Sequence, residues 1–182
     1  MRLRVHCEEW VLGDRGYGVA VGDSFSEWLV LDDDEGRTAE LRATYEALVT
    51  PLKPWEGLAL GYHAYRLDIG PVPVYCEWAE EMDPGPGVVT GVLSVDTYVA
   101  PPDWPKTTGV VVRMWTEHRR YVQDPAGDGT WVFESPSGRY EEVEQCVLSR
   151  DRGLFPRGRQ AEQRTGVLLE IDVDLAGESS LG

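Results

Sequence analysis

The chain has 182 residues, 32 of them acidic and 17 basic, a formal net charge of −15 with 42% hydrophobic residues. That apolar share excludes global disorder, and the length suits one β-rich domain over 1–182 that buries a core without staples. No run approaches the roughly 20 apolar residues of a membrane-spanning helix, and the first nine residues hold no signal-peptide core.

In chain order, alternation of apolar and polar residues is the dominant signal. Leu3, Val5 and Cys7 share a face in 2–12, which predicts a first strand. The run Gly13-Asp14-Arg15-Gly16-Tyr17-Gly18 lacks phosphate-loop spacing and predicts a turn, as does Gly22-Asp23. Trp28–Leu31 is a short strand candidate. Residues 38–49 break the pattern: Leu41, Tyr45, Leu48 and Val49 fall at i, i+4, i+7 and i+8. With Thr38 before them and Pro51 after, they predict one helix of about three turns.

Further strands are predicted at 58–67, 72–78, 87–99, 109–122, 130–134, 139–148 and 167–175. Val74, Cys76 and Trp78 share one face, as do Val89, Leu93, Val95 and Val99, and Val110, Val112 and Met114. The last strand alternates most strictly, with Val167, Leu169, Ile171, Val173 and Leu175 on one side. Turn signals separate these runs at 83–87, 100–103, 124–129 and 135–138, and 150–165 predicts an exposed loop. The tripeptide Thr-Gly-Val recurs at 90–92, 108–110 and 165–167. Glycine inside a strand marks a bulge or a tight bend, so three copies fit the corners of a coiled sheet. The fold expected is mainly β: a small barrel or strongly coiled antiparallel sheet of seven to nine strands, with one helix near 38–49.

Catalytic signatures are missing. Cys7, Cys76, Cys146, His6, His63 and His118 supply no C-x-x-C or H-x-x-x-H pair, so no metal and no cofactor is expected. Cys7 and Cys76 fall on apolar faces, where thiols behave as small buried hydrophobes. There is no G-x-S-x-G elbow and no dinucleotide fingerprint. Neighbouring acids such as Glu8-Glu9, Glu80-Glu81 and Glu141-Glu142 point to opposite strand faces and do not make a carboxylate pair across a cleft. The reading leans away from an enzyme, with no catalytic residue assigned.

Charge and aromatic residues carry what functional signal there is. Residues 1–105 hold 7 basic and 19 acidic residues. Such a field disfavours nucleic acid and anionic membranes and allows a basic protein partner. Trp55, in Pro54-Trp55-Glu56-Gly57, and Trp104, in Pro102-Asp103-Trp104-Pro105, are candidates for covering the core edge or for contacting a partner. In the loop 150–165, Phe155, Arg157 and Arg159 form an arginine-and-aromatic cluster. Those arginines either fold back onto the acidic body or serve as contact residues.

Three pieces together resemble an uncharacterised small β-rich domain family of GC-rich Gram-positive bacteria. They are the first strand ending at Trp10, the turn Val21-Gly22-Asp23 leading to Trp28, and the closing strand Thr165-Gly166-Val167-Leu168-Leu169-Glu170. In that family a cysteine pair follows the first strand, whereas Gly13-Asp14-Arg15-Gly16 stands here. The resemblance implies a small β-rich domain and no activity. The expected function is that of a non-enzymatic, acidic, cytoplasmic binding protein acting on a protein partner, of the inhibitor or immunity type. The alternative is a small-molecule-binding protein or enzyme using the mouth of the barrel, lined by Tyr, Trp, His and Glu side chains.

Overall fold

The computed structural model describes residues 1–15, 18–32, 41–54, 58–95, 99–123, 131–147 and 160–173. They form β1 (Arg2–Glu8), α1 (Glu9–Arg15), β2 (Val19–Ala20), β3 (Ser24–Glu27), β4 (Leu29–Asp32), β5 (Ala43–Pro51), β6 (His63–Ile69), β7 (Val72–Trp78), β8 (Gly85–Val95), β9 (Thr107–Gln123), β10 (Trp131–Glu142), β11 (Gln145–Cys146) and β12 (Gln160–Val173).

Strands β8, β4, β7, β6 and β5 close into a five-stranded barrel, because β8 pairs β5 through Gly85–Gly91 and β4 through Val92–Val95. Beyond β8 the sheet continues through β1, β12, β9 and β10, and β3 joins β9. Most pairings are antiparallel, but β4–β7 and β1–β8 are parallel. The barrel interior is side chain: Leu29, Leu67, Val72, Val74 and Cys76 have no accessible surface. A barrel this narrow is filled by its own residues.

The three Thr-Gly-Val copies sit where strands press together. A Cβ at Gly91 would meet the Asp32 carbonyl oxygen at 2.6 Å, and one at Gly109 the Asp172 oxygen at 2.5 Å. One at Gly166 would meet the Cys7 oxygen at 2.7 Å. Gly91 is the residue at which β8 passes from β5 to β4, so glycine there lets the barrel close.

Several expected elements differ. Residues 43–51 are strand, not helix: Ala47 and Val49 point inward, Glu46, Leu48 and Thr50 outward. Leu48 supplied the helical spacing, yet it is exposed, and closure of the barrel through β5 decides the period. The helix lies instead at Glu9–Arg15, where Val11 and Leu12 are buried and Glu9 stands in the first turn. A seven-residue helix is too short to print a period. The expected turn at 135–138 lies inside β10, as a register shift between Phe133 and Gly138 against β9. The expected loop 150–165 gives way to strand from Gln160 on, and 150–159 lie outside the described residues. On β9 a shift opposite Glu170 and Ile171 leaves Val112 extra, so Val111 rather than Val110 is buried with Met114.

Candidate functional site

The densest polar arrangement lies on the face of β1, β12, β9 and β10 opposite the core. Glu117 on β9 is 1% exposed and accepts from four side chains. Its Oε1 receives Arg119 Nε at 2.9 Å, Arg119 Nη2 at 2.8 Å and the Tyr140 hydroxyl at 3.1 Å. Its Oε2 receives His6 Nε2 at 3.1 Å and the Thr165 hydroxyl at 2.8 Å. Burial works against the charge, but hydrogen bonds and charge from His6 and Arg119 outweigh it and hold this carboxyl at about 2. A carboxylate so ionised only accepts, so His6 presents a protonated Nε2 to it.

The backbone explains how this cluster assembles. Opposite β9, the register of β12 jumps from Arg164↔His118 to Gly166↔Glu117, leaving Thr165 as the extra residue of a bulge. The bulge turns its hydroxyl onto Glu117. Gly166 makes the room: a Cβ there would lie 2.9 Å from His6 Nε2. Gly166 also pairs with Glu8 of β1, so one glycine sets the spacing of three strands.

Five hydrogen bonds fill the roughly four lone-pair sites of a carboxylate. Glu117 therefore has no free acceptor for a substrate proton, and its low pKa disqualifies it as a general acid near neutrality. The cluster is a polar latch across β1, β12, β9 and β10. Beside it, burial raises the Tyr121 hydroxyl, with Arg119 opposing.

Among the described residues, two features of the surface are wide enough to receive a ligand group or a side chain. An open groove of about 440 Å³ crosses the outer face of β5 and β8, lined by Glu46, Leu48, Asp68, Pro86 and Val88 among others. Leu48 is 48% and Val88 68% exposed. Register places Leu48 opposite both Pro86 and Asp68, and Glu46 opposite Val88, so they form one cross-strand patch. Asp68 is paired with Arg66 at 2.8 Å. The second feature is a pocket of about 120 Å³ where β5 ends and β6 begins, walled by Tyr62, His63, Tyr65, Glu81 and Met82 among others.

The sequence candidates are placed as follows. Trp104 is 8% exposed and covers a small second core with Ala64 and Tyr75. Its ring meets Tyr75 edge-on at 5.4 Å between centroids, and its carbonyl accepts the Trp28 indole N–H at 2.6 Å. A ring so covered serves the core edge rather than a partner. Trp55, Phe155, Arg157 and Arg159 lie outside the described residues. Arg164, from the same arginine-rich segment, does fold back, onto Glu9 at 2.5 Å. Cys7, Cys76 and Cys146 are free, buried and on three different strands, and among the described residues no three His, Cys, Asp or Glu side chains gather as metal ligands. No helix among the described residues is long and apolar enough to cross a membrane.

Sequence reasoning missed Glu117. Its one trace was Thr165-Gly166, flagged as a bend without a partner for the hydroxyl. The exposed pair Leu48 and Val88 was missed as well, since Leu48 was read into the face of a helix and Val88 carries no signal of its own.

No protein-family model, curated protein or solved structure matches the chain.

Proposed function

We propose that this is a non-enzymatic, acidic, cytoplasmic binding protein that holds a basic protein partner, of the inhibitor or immunity kind, through the groove on β5 and β8. The observation that carries the reading is the exposed pair Leu48 and Val88 set beside Glu46 in a chain of net charge −15. Two branched apolar side chains set diagonally across β5 and β8 on one outer face give an anchor. Glu46, unpaired among the described residues, gives the sign of the charge that complements it. Among the described residues the groove is lined by Glu46 and by Asp68, itself paired with Arg66, and by no lysine or arginine, so a segment mixing basic and apolar residues fits it better than an acidic one. Saturation of Glu117 supports binding over catalysis, and three buried free thiols suit a reducing compartment.

The test is affinity capture from the source cell with the wild-type chain, Leu48→Asp and Glu46→Lys, followed by titration of the purified captured protein. The expected result is a basic partner whose affinity falls about tenfold or more with Leu48→Asp, as for a hot-spot residue, and weakens with added salt. A partner bound equally by all three chains, or binding indifferent to salt, overturns the reading.

A further inference from the structure

The pocket at the junction of β5 and β6 is a different feature from the groove. Its walls are apolar and aromatic: Leu52, Leu58, Met82, Tyr62 and Tyr65. Tyr65 is 2% exposed, and its hydroxyl oxygen accepts the Met82 backbone N–H at 2.8 Å, which fixes the strap 81–84 over the ring. His63 stands beside it, ring centroids 6.5 Å apart. Among the described residues of the lining, Glu81 is the one carboxylate, it is exposed, and there is no lysine or arginine. Tyr62 is 46% exposed and Leu60 fully so, which extends the apolar surface beyond the pocket.

Size, wall chemistry and charge converge on one class of occupant. A volume of about 120 Å³ falls well short of the several hundred Å³ of ordinary small-molecule sites, and suits a single long side chain. The walls offer hydrocarbon for a methylene stem and tyrosine rings for a cation. Glu81 supplies the counter-charge. Among the described lining residues no lysine or arginine faces an anion, and a purely apolar group leaves Glu81 unused.

We infer that this pocket admits one alkylammonium side chain, that of a lysine, from the basic partner proposed above. The inference rests on that reading for its biological source but not for its chemistry, so a free probe tests it alone. The experiment is an NMR titration of the whole chain with n-butylammonium chloride, with butan-1-ol and butyrate as neutral and anionic controls of similar length. It is repeated on Glu81→Gln, Tyr62→Ala and Leu48→Asp.

The expected result is a saturable shift at the Met82 methyl and the Tyr62 and His63 rings for the ammonium, at least about threefold weaker for the alcohol and undetectable for the anion. Glu81→Gln and Tyr62→Ala should weaken it, while Leu48→Asp, at a residue outside the pocket lining, should change it far less. A response to butan-1-ol equal to that of the ammonium makes the pocket a mere apolar cleft and overturns the inference. Absence of any saturable response overturns it too, with the groove still to be judged by partner capture. A guanidinium probe of comparable size binding more tightly than n-butylammonium would overturn the choice of lysine. Partner binding that survives Leu48→Asp beside a saturable butylammonium titration sinks the groove and spares the pocket, whereas partner binding lost in Leu48→Asp with no butylammonium response sinks the pocket and spares the groove.

Discussion

Replacing Glu117 by glutamine removes one charge from the centre of the latch and leaves its shape nearly unchanged. The carboxyl is held at about 2, against about 4.3 for a glutamate in an unfolded chain, and two units or a little more correspond to about 3 kcal/mol. The amide also turns an NH₂ either toward Arg119, which can only donate, or toward His6 Nε2 and the Thr165 hydroxyl, which must change tautomer or rotate to accept it. It also takes from the nearly buried Arg119 guanidinium the carboxylate that receives two of its N–H groups. Breaking a buried pair in this way costs about 3–5 kcal/mol, which is the loss expected at neutral pH. The pH dependence has a fixed sign. The folded pKa lies below the unfolded one, so the stabilisation is complete above about pH 5 and disappears as pH falls through 2. Urea unfolding of both chains at several pH values between about 7 and 2.5 measures this, because every other carboxylate is common to the two and cancels in the difference. A gap under about 1 kcal/mol at neutral pH, or one that does not narrow on acidification, refutes the latch.

Gly166→Ala should destabilise by about 1–3 kcal/mol or more, since the added Cβ meets a backbone oxygen at 2.7 Å and the His6 ring at 2.9 Å. Equilibrium unfolding measures it, and a change within about 0.5 kcal/mol would show that the strands can part there at little cost. The thiols of Cys7, Cys76 and Cys146 should be inert to a thiol reagent in the native protein, and all three should react in denaturant. Burial raises the Cys146 thiol, with Arg164 opposing, so it should remain slow even in mildly alkaline buffer; fast reaction of any one thiol in native conditions contradicts its burial.

The errors of sequence reading cluster where local pattern and tertiary demand part company. Leu48 completes a helical spacing with Leu41 and Tyr45, and nothing within 38–49 distinguishes that from a strand carrying an exposed leucine. The structure resolves it through Ala47 and Val49, buried because β5 must bridge β6 and β8 for the barrel to close. An apolar residue spent on the outside is a local inconsistency, and such inconsistencies gather at functional surfaces. The groove stands at that same leucine. The mistake in the sequence and the candidate site in the structure share one cause.

Ser135-Pro136-Ser137-Gly138 signals a reversal and yields a bulge, because β9 continues alongside and offers partners on both sides of the interruption. Glu117 was illegible for a different reason. Its donors come from positions 6, 119, 140 and 165, and only Arg119, two residues along the same strand, is a neighbour in sequence.

By itself the sequence determined the β class, the inward faces of β1 and β12, and the glycines at close strand crossings, whereas β8 is buried on both faces from Gly91 on and Val99, expected on its inner face, lies past its end and is exposed. The features that were legible follow from a period of two, from composition and from the absence of a Cβ, all of which act over a few residues. Only the tertiary structure decided that β8 serves two neighbours and closes the barrel, that a carboxylate lies saturated beneath four donors, and that Leu48 and Val88 face solvent together. Those outcomes depend on register between segments up to about 160 residues apart, as in the pairing of Glu8 with Gly166. Register is set by which whole faces bury together, a property of the assembled sheet and not of any one stretch of chain.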